Sequence, residues 1–381
     1  MNSISSFPTS AGLRGAALIA SGALILLLTD GCMVGPDYHA PTQAIKMNQW
    51  GSAQNSAAAG VAAVPIPDQW WTTFNNPELT RLIERALASS PDITIAEQRV
   101  REARAGLRSV AGGRYPQVGA GAGTMEYRRT GPLNTIYRES YSTFQTGFDA
   151  SWEIDLWGGT RRAVESAGAA LEATKEESHG VRVSLAAEVA RTYVELRAGQ
   201  RRLAIAHTNL ALQQRTLELT RERLRAGVAN DLDEARASGL VANTRALVPQ
   251  LEDSNARLVR LLGILLGEEP DTLAGELAET QPLPTPPANV AVGLPAELLR
   301  HRPDIRAAER RLAASTARIG AAQAQLYPKL GLTGTLGFVS TRSEDLFDYS
   351  NRYFSSGPGL HWNLFDGGRV RAQVEAESAR T

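Results

Sequence analysis

Residues 143–155 alternate between two kinds of side chain. Aromatic, aliphatic or small residues such as Phe148 occupy the even positions, and mostly polar residues, including Asp149 and Glu153, occupy the odd ones. Successive side chains of a β-strand point to opposite sides, so this pattern predicts a strand with one apolar and one polar face. A barrel strand that crosses a membrane needs about 9–11 such residues, with the apolar side outward. We therefore predict that Phe148 faces lipid and that Asp149 and Glu153 face a lumen.

Three further segments show a weaker form of this alternation: residues 116–127, 330–338 and 358–364. Together the four segments predict two β-hairpins, at about 115–155 and 327–365, with polar loops at residues 128–142 and 340–352. A soluble sheet with one solvated face would alternate in the same way. Aromatic residues near the strand ends and an apolar N-terminal run favour a membrane instead.

The number of strands has a consequence for assembly. Four strands cannot close a barrel around a lumen, and an open sheet edge in lipid leaves backbone groups without hydrogen bonds. If these strands span a membrane, several chains must share one barrel. The predicted fold class is therefore an α+β membrane protein in which each chain contributes four transmembrane strands.

A very long helix is predicted from Thr160 to Ala226, because this stretch lacks proline and is rich in alanine, leucine, arginine and glutamate. At 1.5 Å per residue it would measure about 100 Å. Two series of apolar residues repeat every seventh position along it: Leu196, Leu203, Leu210, Leu217 and Leu224 in the first seam, and Ile205, Leu212 and Leu219 in the second. The seams face nearly opposite ways, so the helix should have a neighbour on each side, as in a wall of helices. A helix in an ordinary globular bundle would be far shorter.

Gly227 interrupts this helix and is suited to a helix C-terminus, while Asn230 or Asp231 can begin the next helix. The second helix extends to Gly267, and Pro249 should kink it. Residues 160–267 are therefore predicted to form a long antiparallel helical hairpin.

The chain also contains an internal duplication. The sequence PDITIAEQRV at 91–100 returns as PDIRAAERRL at 303–312, which is 212 residues later. We assign a first repeat to residues 78–280 and a second to residues 281–381, with a helix at 303–326. Since only the start of a long helix follows the second hairpin, we expect the sequence to be C-terminally truncated. It would then lack a second helical hairpin with its gate and would not form a closed, stable tunnel, although its barrel strands would be complete.

The N-terminus reads as a targeting segment. An apolar run at 16–28 leads to Cys32, the one cysteine of the chain, as in a signal peptide at 1–31 followed by lipid attachment to the thiol. A cleaved signal with an unmodified cysteine is the alternative. Residues 32–77 would form a lipid-anchored strap, and Met33 after the cysteine permits an outer-membrane location.

Composition excludes several classes of function. The 40 basic residues balance 40 acidic ones, so no overall charge favours nucleic acid. The five histidines are scattered without metal-ligand spacing, and the glycine-rich stretch at 119–123 lacks the lysine of a phosphate-binding loop. We predict no catalytic residues, no metal site and no cofactor other than the lipid on Cys32.

Several long stretches together resemble one protein family, the outer-membrane efflux proteins, and within it the TolC-like lipoprotein branch that serves resistance–nodulation–division pumps: PDQWWTTFNNPELTRLIERAL, WEIDLWGGTRRAVESA and LPAELLRHRPDIRAAERRLAASTARIGAAQAQLYPKLGLTGTLG. The resemblance implies a homotrimer with a shared twelve-stranded barrel on a periplasmic α-helical barrel. It also implies a passive conduit for drugs or metal ions, supplied by an inner-membrane pump and a periplasmic adaptor.

In that family the tips of the helical hairpins contact the adaptor through a small apolar–glycine–apolar turn. The matching residues here are Ala226, Gly227 and Val228, flanked by Arg223 and Arg225. Alternatively, Gly227 only ends the helix. Two other functions stay open. A conduit for protein secretion would share the architecture, and a periplasmic adaptor also has a long helical hairpin but would not duplicate a strand hairpin.

Overall fold

A computed structural model describes residues 33–40, 61–62, 69–130, 138–286, 290–291 and 301–381. The predicted signal peptide and Cys32 lie outside these residues. The helices are α1 (Pro77–Ser89), α2 (Pro91–Gly112), α3 (Gly159–Arg225), α4 (Asp231–Leu266), α5 (Leu273–Glu276), α6 (Pro303–Ala324) and α7 (Arg369–Arg380). The strands are β1 (Val61–Ala62), β2 (Gln117–Thr130), β3 (Arg138–Ile154), β4 (Val290–Ala291), β5 (Lys329–Ser340) and β6 (Arg352–His361).

The chain divides into two compact units. The first, here called the sheet unit, comprises Met1–Ala40, Glu102–Ala173 and Ala308–Thr381. The second, the helix unit, comprises Pro41–Arg101 and Thr174–Ala307. Helices α2, α3 and α6 each contribute residues to both units.

The sheet unit is built on a four-stranded antiparallel sheet in the order β2-β3-β5-β6. Phe148 in β3 pairs with Ala120 in β2 and with Leu336 in β5. Residues paired across an antiparallel ladder share a face, so these positions form an apolar face. Asp149, one residue on, lies on the opposite face. Both β2 and β6 are edge strands.

Two predicted boundaries in the sheet are wrong. The loop predicted at 128–142 is shorter, because β2 continues to Thr130 and β3 begins at Arg138. Polar residues there suggested a loop, but their backbones pair, and the rings of Tyr127 and Tyr141 stack at 5.2 Å across the ladder. Strand β6 ends at His361, before the apolar positions 362 and 364 that the alternation had placed in a strand.

The long helix was predicted almost to the residue, since α3 runs from Gly159 to Arg225. Helix α4 then runs without a break through Pro249 to Leu266. Its N-cap is Asn230, whose side chain accepts a 2.9 Å hydrogen bond from the backbone N–H of Asp233. The Asp233 carboxylate accepts in turn from the Asn230 N–H, so the two residues form a capping box.

The helix unit has its own core, to which α1, α3, α4 and α5 contribute. Fully buried residues include Leu82 from α1, Leu196 from α3, Leu262 from α4 and Leu273 from α5. Strands β1 and β4 pair in parallel in this unit. The helical pattern of α1 accounts for its packing, because every third or fourth residue is buried: Leu79, Leu82, Ile83 and Ala86.

A charged cluster lies beside this core. The guanidinium of Arg197, whose side chain is fully buried, donates to the Glu78 carboxylate at 2.5 Å. The Tyr193 hydroxyl donates to the same carboxylate at 2.6 Å. Burial, reinforced by the hydrogen bond to Glu78, raises the pKa of Tyr193 above its ordinary value. Burial of Arg197 is tolerated because its charge is paired with Glu78 and both terminal NH2 groups of the guanidinium have acceptors.

Candidate functional site

The sheet has two chemically different faces. The apolar face is largely uncovered: Phe148 is 61% exposed and Leu336 is 58% exposed. A soluble protein would bury such a face against a second layer. The opposite face carries Asp149 and Glu153, the residues predicted to line a lumen. Lys329 forms a 3.1 Å ion pair with Glu153. The sheet therefore suits a boundary between an apolar and an aqueous phase.

The two apolar seams of α3 differ in exposure. In the first seam Leu196 and Leu217 are buried. In the second, half or more of each side chain is exposed: 52% of Ile205, 60% of Leu212 and 50% of Leu219. Three large aliphatic side chains at seven-residue spacing form a continuous stripe along a helix. The second seam is thus an uncovered packing surface.

The tip of the helical hairpin is a compact turn. Gly227 adopts a left-handed conformation with φ of 76°. Its N–H donates to the Leu224 carbonyl at 2.9 Å, and the Val228 N–H donates to the Arg223 carbonyl at 3.0 Å. These two bonds form a Schellman motif, so Gly227 does end α3.

The same turn also presents side chains to solvent. Val228 is 73% exposed, and Arg223, Arg225 and Ala226 are exposed as well. Within the described residues, neither Arg223 nor Arg225 forms an ion pair. By contrast, Arg221 pairs with Glu234 across the hairpin at 2.7 Å. The structure thus brings the predicted tip residues together on one surface.

The N-terminal segment, residues 33–40, docks within the sheet unit through contacts that were not predicted from the sequence. The Arg162 side chain is only 2% exposed, and it donates to the carbonyl of Val34 at 3.2 Å and to the Asp37 carboxylate at 2.6 Å. The Val34 N–H donates to the Trp157 carbonyl at 3.1 Å. Burial lowers the pKa of Arg162, but hydrogen bonds to Asp37 and Glu165 outweigh it, so the net shift is upward.

Close backbone contact reinforces this docking. Gly35 has φ of 96°, and a Cβ atom there would lie 2.3 Å from the Cα of Gly320 in α6. Farther along the segment, the Tyr38 hydroxyl donates to Glu309 at 3.0 Å. The only sequence signals were a glycine in a short polar segment and an arginine in an amphipathic helix, neither of which is specific. Residues directly after Cys32 are therefore fixed against α3 and α6.

The described residues include no group of three or more histidine, cysteine, aspartate or glutamate side chains arranged to hold a metal ion. No helix among them is both long and apolar enough to cross a membrane.

Solved structures with this architecture are outer-membrane channels. The chain superposes on the outer-membrane channel OprN with a TM-score of 0.83 and 38% sequence identity, over 92% of this chain and 77% of that one. It also superposes on CusC, whose structures concern folding and transmembrane channel formation. The TM-score is 0.77 and the sequence identity 27%, over 92% of this chain and 77% of CusC. The fold and its surfaces define an outer-membrane channel protein.

Sequence comparisons give the family. The model of the outer membrane efflux protein family matches residues 82–268 and 294–381. Nodulation protein T of Rhizobium leguminosarum bv. trifolii is 34% identical over 362 residues, which cover 93% of this chain and 74% of that protein. Outer membrane protein OprJ of Pseudomonas aeruginosa is 31% identical over 370 residues, covering 97% and 76%.

The chain belongs to the outer membrane efflux protein family. It is an efflux channel component of the outer membrane, and members of this family are channel proteins rather than enzymes. The resemblance to the outer-membrane efflux proteins is therefore confirmed at the level of the family.

Proposed function

We propose that the chain is one protomer of a trimeric, passive conduit that carries small solutes across the outer membrane, supplied by an inner-membrane pump through a periplasmic adaptor. The observation that carries this proposal is a sheet with an uncovered apolar face and two open edges. The apolar face suits contact with lipid, but the open edges do not suit a chain acting alone there, because unpaired edge groups in hydrocarbon are costly.

The order of strands supports closure by copies of the same chain. Because all neighbours are antiparallel, β2 and β6 run in opposite directions at the two edges. Strand β6 of one copy can therefore pair antiparallel with β2 of the next copy, and the ring closes under rotational symmetry. Three copies supply twelve strands, the number that the family resemblance implies. A barrel of eight strands would be filled by side chains rather than open.

The uncovered seam on α3 supports the same assembly. A second copy would supply the apolar partner that Ile205, Leu212 and Leu219 lack in the isolated chain. Burying one large aliphatic side chain contributes about 1.5–3 kcal/mol. A helical wall of several copies would therefore gain stability at every second turn along this seam.

The tip is proposed to contact the adaptor. Val228 offers an exposed apolar group, and Arg223 and Arg225 offer charges without a partner among the described residues. Apolar anchors with adjacent arginines are common in protein interfaces. Gly227 serves helix termination and adaptor contact alike, since it ends α3 and keeps the turn narrow.

The proposed cargo is a small molecule or ion rather than a folded protein. Relatives include the pyoverdine export protein OpmQ of Pseudomonas aeruginosa and the solvent efflux protein SrpC of Pseudomonas putida. Their names refer to small compounds, which favours efflux over protein secretion. The helical hairpin lies between duplicated strand hairpins, which argues against an adaptor. We propose no catalytic activity and no cofactor.

Lipid attachment at Cys32 is proposed from the sequence pattern. It is supported by the contacts of Arg162 with Val34 and Asp37, which fix the residues that follow Cys32 against the sheet unit. The mass of the mature N-terminal peptide tests it. We expect Cys32 at the N-terminus with diacylglycerol and acyl groups. An unmodified peptide, or one that retains Thr29, would contradict lipidation.

Conductance tests the conduit. Protein purified from outer membranes and inserted into planar bilayers should conduct ions with no energy source, because a passive pore needs none. Charge reversal at Asp149 should change the ion selectivity of the pore, whereas an equivalent charge on the apolar face should impair insertion. Insertion without conductance would contradict the proposal.

A further inference from the structure

The apolar face of the sheet is not uniform, because it carries a furrow that spans all four strands, from Ala120–Ala122 in β2 to Arg352 at the start of β6. The furrow has a volume of about 570 Å³. Its floor includes Ala120 and Ala122, and larger side chains surround it: Phe148, Leu336, Phe338 and Phe347.

The furrow follows from the choice of residues on neighbouring strands. On the apolar face β2 contributes only methyl groups at Ala120 and Ala122, while β3 contributes the ring of Phe148. Beneath them, Gly147 pairs with Gly337, and a Cβ on Gly337 would lie 2.3 Å from the Thr146 carbonyl oxygen. Close strand packing and small side chains therefore leave a depression beside taller aromatic groups.

A cation lies at the loop end of this furrow. Arg352 pairs with Phe338 across the ladder and so shares the apolar face. Its guanidinium lies 3.2 Å from the centre of the Tyr349 ring. Phe347 packs edge-on against Phe338 at 5.6 Å and forms the adjoining wall. A ring beneath the guanidinium positions it without neutralising its charge.

Arg352 has no acidic partner among the described residues. The nearby carboxylate of Asp345 is engaged instead, by Arg342 at 3.2 Å and by the Ser340 hydroxyl at 2.5 Å. An arginine on a face in contact with lipid requires an anion, since an unpaired charge beside hydrocarbon is costly. Guanidinium binds phosphate with two parallel hydrogen bonds.

We propose that the furrow is a binding site for a phosphorylated lipid of the outer membrane, with an acyl chain lying over Ala120 and Ala122 and the phosphate on Arg352. This inference rests on the proposed orientation of the apolar face toward lipid. An apolar trough that ends at an unpaired cation matches the chemistry of an anionic lipid, which joins an acyl chain to a phosphate. Tyr349 and Phe347 would flank the headgroup, as aromatic side chains do at a membrane interface.

Native mass spectrometry of the protein in neutral detergent tests the site. Dimyristoyl phosphatidylglycerol should be retained in preference to dimyristoyl phosphatidylcholine, which carries the same acyl chains but no net charge. Arg352→Gln should lower the retention of phosphatidylglycerol about fivefold, the effect of one arginine near an anionic lipid surface. Arg342→Gln is the matched control and should leave retention unchanged, because Arg342 is already paired with Asp345. Equal retention by Arg352→Gln and the wild type would overturn the proposal.

A second variant separates a lipid site from a phosphate site. Ala122→Leu fills the furrow without altering charge and should also weaken retention of phosphatidylglycerol. If Ala122→Leu had no effect, the acyl chain would not be bound in the furrow and the lipid assignment would fail. Conductance of the same samples in bilayers of neutral lipid keeps the two proposals apart. Wild-type protein that conducts without a lipid preference refutes only the lipid site, and protein with the preference but no conductance refutes only the conduit.

Discussion

The indole N–H of Trp152 donates a 3.0 Å hydrogen bond to the backbone carbonyl of Arg114. The second repeat contains the same contact, because the indole of Trp362 donates to the carbonyl of Leu326 at 3.0 Å. Arg114 and Leu326 occupy equivalent positions, 212 residues apart. Each bond ties a strand end to the segment between the preceding helix and its hairpin. The duplication is therefore preserved in a specific contact as well as in the sequence.

Replacing either tryptophan by phenylalanine should weaken this tie. Each variant, Trp152→Phe or Trp362→Phe, retains a ring but loses the N–H donor. A single hydrogen bond contributes about 1 kcal/mol, so both should lower the free energy of unfolding by similar amounts. Thermal unfolding of the purified variants in detergent measures the effect. A large loss in one repeat and none in the other would show that the two contacts are not equivalent.

Charge on the two faces of β3 should have unequal effects on assembly. Phe148 and Asp149 are adjacent and lie on opposite faces. An arginine on the lipid side near the midplane costs about 2–4 kcal/mol, whereas a change on a lumen side costs little. Phe148→Arg should therefore reduce the yield of assembled protein in outer membranes more than Asp149→Arg does. Equal yields would count against the assignment of faces. Phe144 and Trp152 lie on the same face as Phe148, so arginine at either position should have the same effect.

Two tip variants separate helix termination from partner contact. A Cβ on Gly227 would meet no atom within 4 Å, so Gly227→Ala introduces backbone strain alone. The left-handed conformation costs about 1–2 kcal/mol for alanine, which should lower the thermal unfolding midpoint while export is retained. Val228→Asp should do the opposite: stability stays unchanged, and export falls because the apolar contact is lost. Accumulation of a fluorescent pump substrate reports export, and normal export by Val228→Asp would argue against a contact there.

Arg162→Met should release the N-terminal segment. The variant keeps apolar bulk but removes the hydrogen bonds to the Val34 carbonyl and the Asp37 carboxylate. A hydrogen bond to a charged group contributes about 1.5–3 kcal/mol. Amide hydrogen exchange in residues 33–40 should accelerate accordingly. Arg318→Met, an exposed position on α6, is the control and should leave exchange in this segment unchanged. Unchanged exchange in Arg162→Met would mean that other contacts hold the segment.

Local patterns predicted much of the fold because several signals coincide. Helix α3 could be placed because helix-forming residues without proline end at Gly227, which must take positive φ. Strand β3 could be placed because its two faces differ in polarity along its whole length. The limits of the first hairpin were predicted less well, since Tyr127 and Tyr141 belong to strand ends that pair despite polar neighbours. The ends of these strands extend beyond the segment in which apolar and polar residues alternate, so the sequence gives no signal of where they end.

Contacts between distant segments could not be read from the sequence. Arg162 meets Val34 and Asp37 only after α3 and the N-terminal segment come together, and no periodicity marks that meeting. The cation at Arg352 is similar, because its place on the apolar face depends on the register of β6 against Phe338. The alternation predicted this strand only from residue 358, so Arg352 was assigned to the preceding loop. Register and docking are tertiary properties, so the pattern of a single segment does not determine them.

Counting the subunits of the assembled complex tests the account most directly. Native mass spectrometry of the protein extracted from outer membranes gives the number of chains in one particle. Three copies are predicted, since their edge strands then close a barrel wide enough for a lumen and the second seam of α3 gains a neighbour. A particle that contains one chain, with the edges of β2 and β6 unpaired, would contradict the shared barrel and with it the conduit.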